Sequence, residues 1–116
     1  MNIEEFRDYC LSKKGTEETF PFDEVTLVFK VMGKMYALTS LDSEFSINLK
    51  CDPEKAIELR ETYSSVTPGY HMSKKHWNTI LMDDLIPDRL IKEWIDDSYN
   101  LIVLSLPKKL QQELNQ

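Results

Sequence analysis

The sequence has few of the residues from which recognisable catalytic motifs are built. It contains only three glycines, two cysteines and two histidines in 116 residues. Three scattered glycines exclude a glycine-rich phosphate loop, and neither a GxSxG nor an HExxH pattern is present. Cys10 and Cys51 are too few for a disulfide framework, and their apolar neighbours favour buried free thiols. We therefore expect a protein that is not an enzyme and that uses no cofactor or metal.

Long apolar runs are also missing. No stretch approaches the roughly 20 residues that a membrane span needs. Glu4 and Glu5 make the N-terminus acidic where a signal peptide would be basic. The sequence thus predicts a cytoplasmic location without a membrane partner. The apolar fraction of 41% is ample for one core, and the length predicts a single domain over 1–116.

Acidic residues are absent from one stretch of an otherwise acidic chain. The formal net charge is -6, which argues against strong non-specific binding to duplex DNA, because such binding depends on many phosphate contacts. From Ser64 to Met82, however, there is no aspartate or glutamate, and this stretch holds both histidines, Trp77 and the pair Lys74-Lys75. Such a basic, aromatic stretch is typical of a site for an anionic partner. It is equally typical of a hairpin packed against an acidic helix.

The hydrophobic pattern predicts an α+β fold in the order α-β-β-β-α-β-β-α. Its simplest arrangement is two layers, a five-stranded antiparallel sheet with helices on one face. Asn2 and Glu5 have the spacing of a capping box that begins the first helix, and Gly15 can end it. Residues 16–24 are predicted to form a connecting loop.

Apolar and polar residues then alternate in three predicted strands, over 25–31, 35–40 and 45–50. A tight turn at Met32-Gly33 would join the first two of them. Asp52-Pro53 begins the second helix. The face of the sheet away from the helices is predicted to carry Lys30, Ser46, Asn48, Lys50, His76 and Asn78.

The remaining elements are a second hairpin and a long helix. The hairpin is predicted over 70–72 and 76–82, around Lys74-Lys75, although 76–82 would also suit a helical turn. The long helix begins at Pro87 and is interrupted by Pro107, which leaves a short polar helical tail over 108–116.

An ordered set of short motifs resembles the MmcQ/YjbR-like family over nearly the whole chain. The motifs are Pro21-Phe22, residues 29–37, Leu49-Lys50 before Asp52-Pro53-Glu54, residues 68–72, residues 74–78, Ser98-Tyr99 and residues 106–109. The resemblance implies a fold like that of type III secretion chaperones, also compared with CyaY/frataxin. It further implies DNA binding through a "double-wing" hairpin. The chain departs from the family at Asp23, where glycine is frequent, and this acid weakens the argument for a basic surface there.

DNA is accordingly the first partner to consider. Lys74, Lys75 and His76 would contact phosphates, and Trp77 or Tyr70 would stack on an unpaired base, a contact worth roughly 1–3 kcal/mol. Five further lysines would extend this path, namely Lys30, Lys34, Lys50, Lys108 and Lys109. Affinity from so few charges is expected to be weak and steeply dependent on salt.

Each of these residues also has a structural interpretation. Trp77 is typical of a core position on an alternating strand, and Lys74-Lys75 of a solvated turn that blunts a sheet edge. His71 and His76 lack the spacing of metal ligands, which favours structural histidines.

The alternative function is a protein- or peptide-binding module. An open sheet edge or a groove beside the last helix would receive a strand or a helix of the partner. Phe20 and Phe22 would contribute to such a groove, or else close one end of the core.

Overall fold

The computed structural model describes residues 1–69 and 72–116, so Tyr70 and His71, with the roles predicted for them, lie outside the described residues. The described chain forms α1 (Ile3–Leu11), β1 (Thr16–Thr19), β2 (Thr26–Val31), β3 (Lys34–Ser40), β4 (Ser46–Lys50), α2 (Pro53–Thr62), β5 (Val66–Pro68), β6 (Trp77–Leu81), α3 (Asp88–Ser105) and α4 (Lys108–Leu114). None of the helices in these two ranges has both the length and the hydropathy that crossing a bilayer requires.

The strands form one antiparallel sheet in the order β1-β2-β3-β4-β6-β5. Met32 and Gly33 both have positive φ, 50° and 85°, as a two-residue hairpin turn requires, which confirms the predicted turn between β2 and β3. At one edge, the short strand β5 ends in Pro68. Proline is tolerated there because an edge strand loses little from the missing N–H.

The predicted α+β class with an antiparallel sheet is confirmed, but five strands and the predicted element order are wrong. The sixth strand is β1, inside the segment predicted as a loop, and it pairs with β2. Its sequence, Thr-Glu-Glu-Thr, shows no apolar alternation. The strand is held by a tertiary contact instead, because the Arg7 guanidinium donates to both carboxylate oxygens of Glu18, at 2.6 and 2.5 Å.

The second hairpin also differs from its prediction. The strand predicted at 70–72 falls mostly outside the described residues, and the described partner of β6 is β5, which begins four residues after α2 ends and places Val66 opposite Ile80. Both residues are buried, at 3% and 2% exposed, so the strand forms where its apolar side chain reaches the core. The polar tail forms α4, which follows Pro107 as predicted.

Helices pack on one face of the sheet, and the core lies between the two layers. It joins buried residues of α1, α3 and α4 to those of the strands, among them Phe6, Cys10, Phe29, Ile47, Ile80, Ile91, Ile95 and Leu114. Phe6 meets Phe29 edge-on, with ring centroids 5.5 Å apart. Burying each such large side chain contributes about 1.5–3 kcal/mol.

The predicted starts of α1 and α2 are confirmed by side-chain caps. The Asn2 side chain accepts from the Glu5 amide, and the Glu5 side chain accepts from the Asn2 amide, which completes a capping box. Asp52 accepts from the amides of Glu54 and Lys55. These caps fix where α1 and α2 begin, and therefore which of their residues face the sheet.

Candidate binding groove on the open face of the sheet

The face of the sheet opposite the core, here called the open face, is apolar at its centre. Cross-strand partners share a face, and one row crosses the sheet through Val28, Leu38, Asn48, Thr79 and Thr67. None of the helices among residues 1–69 and 72–116 contributes to the buried cluster on this face. The face is concave, and the concavity, here called the groove, has a volume of about 1190 Å³.

The floor of the groove is a second, smaller hydrophobic cluster. It consists of Val28, Leu38 and Trp77, which are 0%, 8% and 7% exposed, with the half-buried Met35 and Met72 packed against them. Two flexible methionine side chains beside an aromatic ring make a surface that can adapt to different apolar partners.

Hydroxyl and amide groups surround this floor. The Thr79 hydroxyl donates to Asn48 Oδ1 at 2.6 Å, which orients both side chains across β4 and β6. Other polar residues lining the groove are Thr26, Ser40, Ser43, Ser46, Thr67 and Ser73. An apolar floor with a few placed polar groups is the usual composition of a ligand site.

The charged residues that line the groove are two carboxylates at one end of the sheet. Asp23 accepts from the amides of Val25 and Thr26, at 2.9 and 2.6 Å, and these bonds hold the pKa of its carboxyl below the ordinary value. Asp42 accepts from the Ser40 hydroxyl at 2.7 Å. No lysine or arginine of the described chain lines the groove.

Two of the predicted lysines lie on the open face, at the opposite end of the strands. Lys30 is the cross-strand partner of Met35, and Lys50 is the partner of Trp77. Glu17 lies directly opposite Lys30 on β1, so a carboxylate accompanies that lysine. Lys34 pairs with the core residue Val31, and alternation therefore places it on the other face.

The turn before β6 carries three more of the predicted residues. Lys74 and Lys75 are exposed, and His76 is half-buried with its carbonyl accepting from the Cys51 amide at 2.7 Å. This turn leads into β6 at the same end of the sheet as Lys50.

Lys108 and Lys109 do not join this group. They begin α4, whose Leu114 is part of the core on the helix side of the sheet. The structure therefore brings Lys30 and Lys50 to one end of the open face, beside the turn that carries Lys74 and Lys75. It places the last two lysines on another layer.

Trp77 is buried, as its structural interpretation predicted, but on the open face rather than against the helices. Stacking on a nucleic-acid base requires an exposed ring face, and a 7% exposed indole does not offer one. The next residue, Asn78, was predicted on the open face and instead points toward the helices, where its amide donates to the Ala56 carbonyl at 3.3 Å. Ile80 belongs to the core. Because residues two apart in a strand share a face, the position of Ile80 indicates that Asn78 also faces the helices.

Arg60 is a residue that the sequence did not single out. Its Nε donates to Asn78 Oδ1 at 2.6 Å, and its Nη2 donates to the carbonyls of Lys74 and Trp77. It thus fastens the turn before β6 to α2. An arginine near the end of a helix is common, and nothing in its neighbouring sequence indicates that it binds residues 14 to 18 positions away.

Gly69 supports the same turn. Its amide donates to the Trp77 carbonyl at 2.9 Å, and a Cβ at this position would lie 3.0 Å from the Trp77 Cβ. The close approach of the two chains therefore favours glycine, and together with Arg60 it fixes Trp77 as the floor of the groove.

Phe20 and Phe22 do not close the core. They are 48% and 64% exposed, and Phe22 lines the groove at the end that carries Asp23. Of the two interpretations given for this pair, contribution to a groove agrees with the position of Phe22.

Both cysteines are buried free thiols, as predicted. Burial raises the pKa of Cys10 to about 12 and also raises that of Cys51, so both stay protonated and unreactive. Within the described ranges, no three His, Cys, Asp or Glu side chains form a group that could hold a metal ion. The absence of catalytic and metal chemistry stays a prediction.

A sequence model of the family described as YjbR matches residues 11–101. A protein of Escherichia coli O157:H7, "Uncharacterized protein YbdF", is 40% identical over 99 residues, covering 84% of this chain and 81% of its own length. "Uncharacterized protein YjbR" of Escherichia coli strain K12 is 33% identical over 117 residues, covering 100% of this chain and 99% of its own.

Solved structures show the same fold. The crystal structure of Deinococcus radiodurans protein DR2400 superposes with a TM-score of 0.92 at 40% identity, over 98% of this chain and 88% of that one. A crystal structure of a Pseudomonas syringae protein gives a TM-score of 0.75 at 30% identity, over 87% of this chain and 98% of that one. The names of these relatives assign no activity.

Proposed function

The chain belongs to the YjbR family, and we propose that the groove on its open face binds an extended segment of a partner protein. The observation that carries this proposal is the second hydrophobic cluster, which floors a concavity on a face that none of the described helices covers. An open sheet face left only to water would carry polar side chains at these positions. Val28, Leu38 and Trp77 are apolar instead.

The lining of the groove favours a polypeptide over a nucleic acid. Peptide sites combine pockets for apolar side chains with hydrogen-bonding groups for the backbone, and hydroxyls surround the floor here. Phosphates would meet Asp23 and Asp42 without a lining lysine. The methionines packed on the floor fit partners whose apolar side chains differ in shape.

The test is to select short peptides from a random display library and measure their binding by fluorescence anisotropy. We expect Met35→Glu to weaken binding by about tenfold or more, since a charge at the apolar floor costs at least about 1.4 kcal/mol of binding free energy. The matched control is Leu104→Glu, at a 73% exposed leucine on α3. Peptides that bind Met35→Glu as tightly as the parent protein, or that lose binding only with Leu104→Glu, would contradict the groove as the site.

Weak nucleic-acid binding is a second candidate, favoured by one observation. Lys30 and Lys50 share an end of the open face with the turn that carries Lys74 and Lys75. The net charge of -6 and the neighbouring Glu17 limit the affinity, so we expect binding only at low salt.

This candidate is tested with single- and double-stranded DNA over a salt series. The double variant Lys74→Glu with Lys75→Glu is expected to abolish binding at low salt, whereas Lys108→Glu with Lys109→Glu, on another layer, is expected to preserve it. Binding that survives the first double variant would exclude the turn as the site. Failure of the parent protein to bind at low salt would remove this candidate.

A further inference from the structure

The two ends of the sheet carry opposite charges. At the end that includes Asp23 and Asp42, the connections are residues 20–25, 41–45 and 82–86, which contain aspartates and glutamates but no lysine or arginine. At the other end, lysines outnumber acids: the connections and adjoining residues carry Lys13, Lys14, Lys34, Lys50, Lys74 and Lys75, with Asp52 in the β4–α2 connection and Asp96 paired with Lys13. We call these the acidic end and the lysine end.

Of the groove residues, Trp77 and the half-buried Met35 lie at the lysine end, opposite Lys50 and Lys30, and the lining carboxylates are at the acidic end. Trp77 lies opposite Lys50, and the Asp42 carboxylate accepts from Ser40 where β3 finishes. Along β4, the span from Lys50 to Ser46 is four residues, or roughly 13 Å at 3.3 Å per residue. An apolar anchor site and an anionic site are thus separated by about that distance along the strands.

Both carboxylates retain capacity for a cation. An ionised carboxylate has about four acceptor positions, and the intramolecular bonds to Asp23 and Asp42 use only some of them. The backbone bonds that lower the pKa of Asp23 keep it ionised at neutral pH. The acidic residues that flank the pair, Glu24 and Glu44, are exposed and add to the negative potential.

We infer that the occupant of the groove is an extended segment with an apolar side chain and a lysine or arginine four residues apart. This inference rests on the proposed function and specifies its partner. In an extended chain, side chains at i and i+4 project to the same side and are about 13 Å apart, so one reaches the half-buried methionines beside Trp77 while the other reaches Asp23 and Asp42. At i and i+3 they project to opposite sides, and only one can enter.

The experiment uses capped synthetic peptides of one composition, a leucine and a lysine among serines and threonines. In one peptide the two residues are four apart, in the second three apart, and in the third glutamate replaces the lysine. Both orders of leucine and lysine are included. Binding to the full chain is followed by amide chemical shifts of β3, β4 and β6. We expect the four-apart peptide to bind about three- to tenfold more tightly than the other two, as one or two partly exposed ion pairs allow.

The protein variant is Asp23→Asn with Asp42→Asn, which removes both charges but keeps one oxygen for the two backbone amides at position 23 and one for the Ser40 hydroxyl; only the acceptor of the Thr26 hydroxyl is lost. It should remove the advantage of lysine over glutamate, whereas the charge-matched control Glu4→Gln with Asp8→Asn, on α1, should preserve it. Added salt should reduce the same advantage, because exposed charges are screened.

The outcomes separate this inference from the proposed function. Equal affinities for the four-apart, three-apart and glutamate peptides, with shifts still at the groove and still lost in Met35→Glu, would overturn the spacing and charge rule alone. Absence of groove shifts for every peptide, together with library peptides insensitive to Met35→Glu, would overturn the proposed function. Shifts confined to the lysine end with DNA would favour the nucleic-acid candidate instead.

Discussion

The two faces of the sheet are built from the same strands but differ in what packs against them. On the helix side, Phe29, Ile47 and Ile80 meet side chains of α1 and α3, and all three are at most 2% exposed. On the open face, Val28, Leu38 and Trp77 are almost as buried, and the described apolar side chains packed against them are two methionines rather than those of a helix. Burial alone therefore does not distinguish a core from a site. The difference is whether a second layer of secondary structure packs against the buried side chains.

Polar groups differ between the faces in the same way. On the helix side, the Ser98 hydroxyl donates to the Tyr36 carbonyl at 2.5 Å and accepts from the Lys50 amide at 2.9 Å. These bonds tie α3 to β3 and β4 and leave little for a partner. On the open face, Thr79 and Asn48 bond to each other at the surface, where both can exchange that bond for one to a ligand or to water.

The largest difference in stability between the two faces should come from truncating one core side chain. Phe29→Ala is expected to lower the free energy of unfolding by about 3–5 kcal/mol, because it removes a fully buried ring and leaves a cavity among α1 and β2. Urea denaturation measures the change. Met35→Ala, at a half-buried position on the open face, is the control and should cost clearly less. Equal losses for the two variants would mean that the open face is as tightly packed as the core.

Removing the Arg60 side chain, which fastens the turn before β6 to α2 and is here called the clamp, should give the next largest effect. Arg60 approaches from α2, but its bonds to the Lys74 and Trp77 carbonyls hold the floor of the groove in place. Arg60→Ala is expected to cost about 1–3 kcal/mol, since it leaves Asn78 Oδ1 without its donor in a buried setting. It should also speed hydrogen exchange at the Trp77 amide.

Arg60→Lys distinguishes the clamp from a simple charge effect. Lysine keeps the positive charge but lacks the planar fork that reaches three acceptors at once. It should therefore recover only a small part of the lost stability. Full recovery by lysine would show that the charge, rather than the geometry, matters.

An alkaline titration should weaken the helix side selectively. Burial raises the pKa of Cys10 from 9.0 to about 12, and burial followed by the hydrogen bond to Asp96 raises that of Tyr9 from 10.0 to about 12. The folded chain therefore holds protons that the unfolded chain releases, so their contribution is complete below about pH 9 and is lost as pH rises toward 12. At about pH 10, one unit above the ordinary pKa of the thiol, the loss of stability from Cys10 alone is about 1.4 kcal/mol.

Curves of the free energy of unfolding from pH 8 to 11 measure this loss. Cys10→Ala is expected to remove the share of the pH dependence that comes from this thiol, and to lower stability by the same amount at every pH because it also loses packing. None of the described residues that line the groove is a buried thiol or phenol. Peptide binding at the groove should therefore decline only where the fold itself does. A slope unchanged in Cys10→Ala would contradict the assignment to this thiol.

Elements with local signals were predictable from sequence. The Asn2–Glu5 capping box, the Asp52 cap and the Met32-Gly33 turn depend on residues within a few positions of one another, and each is present as predicted. Strand β1 was missed because an edge strand is defined by its pairing with β2 rather than by an apolar pattern of its own. The family resemblance was confirmed because it rested on an ordered set of motifs rather than on any one residue.

The site was harder to predict, because it depends on which face a residue occupies. Trp77 was taken as a residue of the helix-side layer and Asn78 as one of the open face, and a shift of one position in a strand exchanges the two faces. The groove joins the β2–β3 hairpin to β6, which lies far from it in sequence. The basic stretch from 64 to 82 was conspicuous, whereas the acidic end, made from three separate connections, was visible only once the sheet was assembled.

The smallest effect, and the sharpest comparison, should come from removing one hydroxyl from each face. Thr79→Val keeps the shape and strand preference of the side chain and removes only the bond to Asn48, so we expect a loss of about 0.5 kcal/mol or less because water can replace that bond. Ser98→Ala removes a hydroxyl that is fully buried and leaves the Lys50 amide without its acceptor, which should cost about 1–3 kcal/mol. Chemical denaturation of the two variants under one condition measures both. If Thr79→Val proves as costly as Ser98→Ala, the hydroxyls of the open face are part of the fold rather than groups available to a partner.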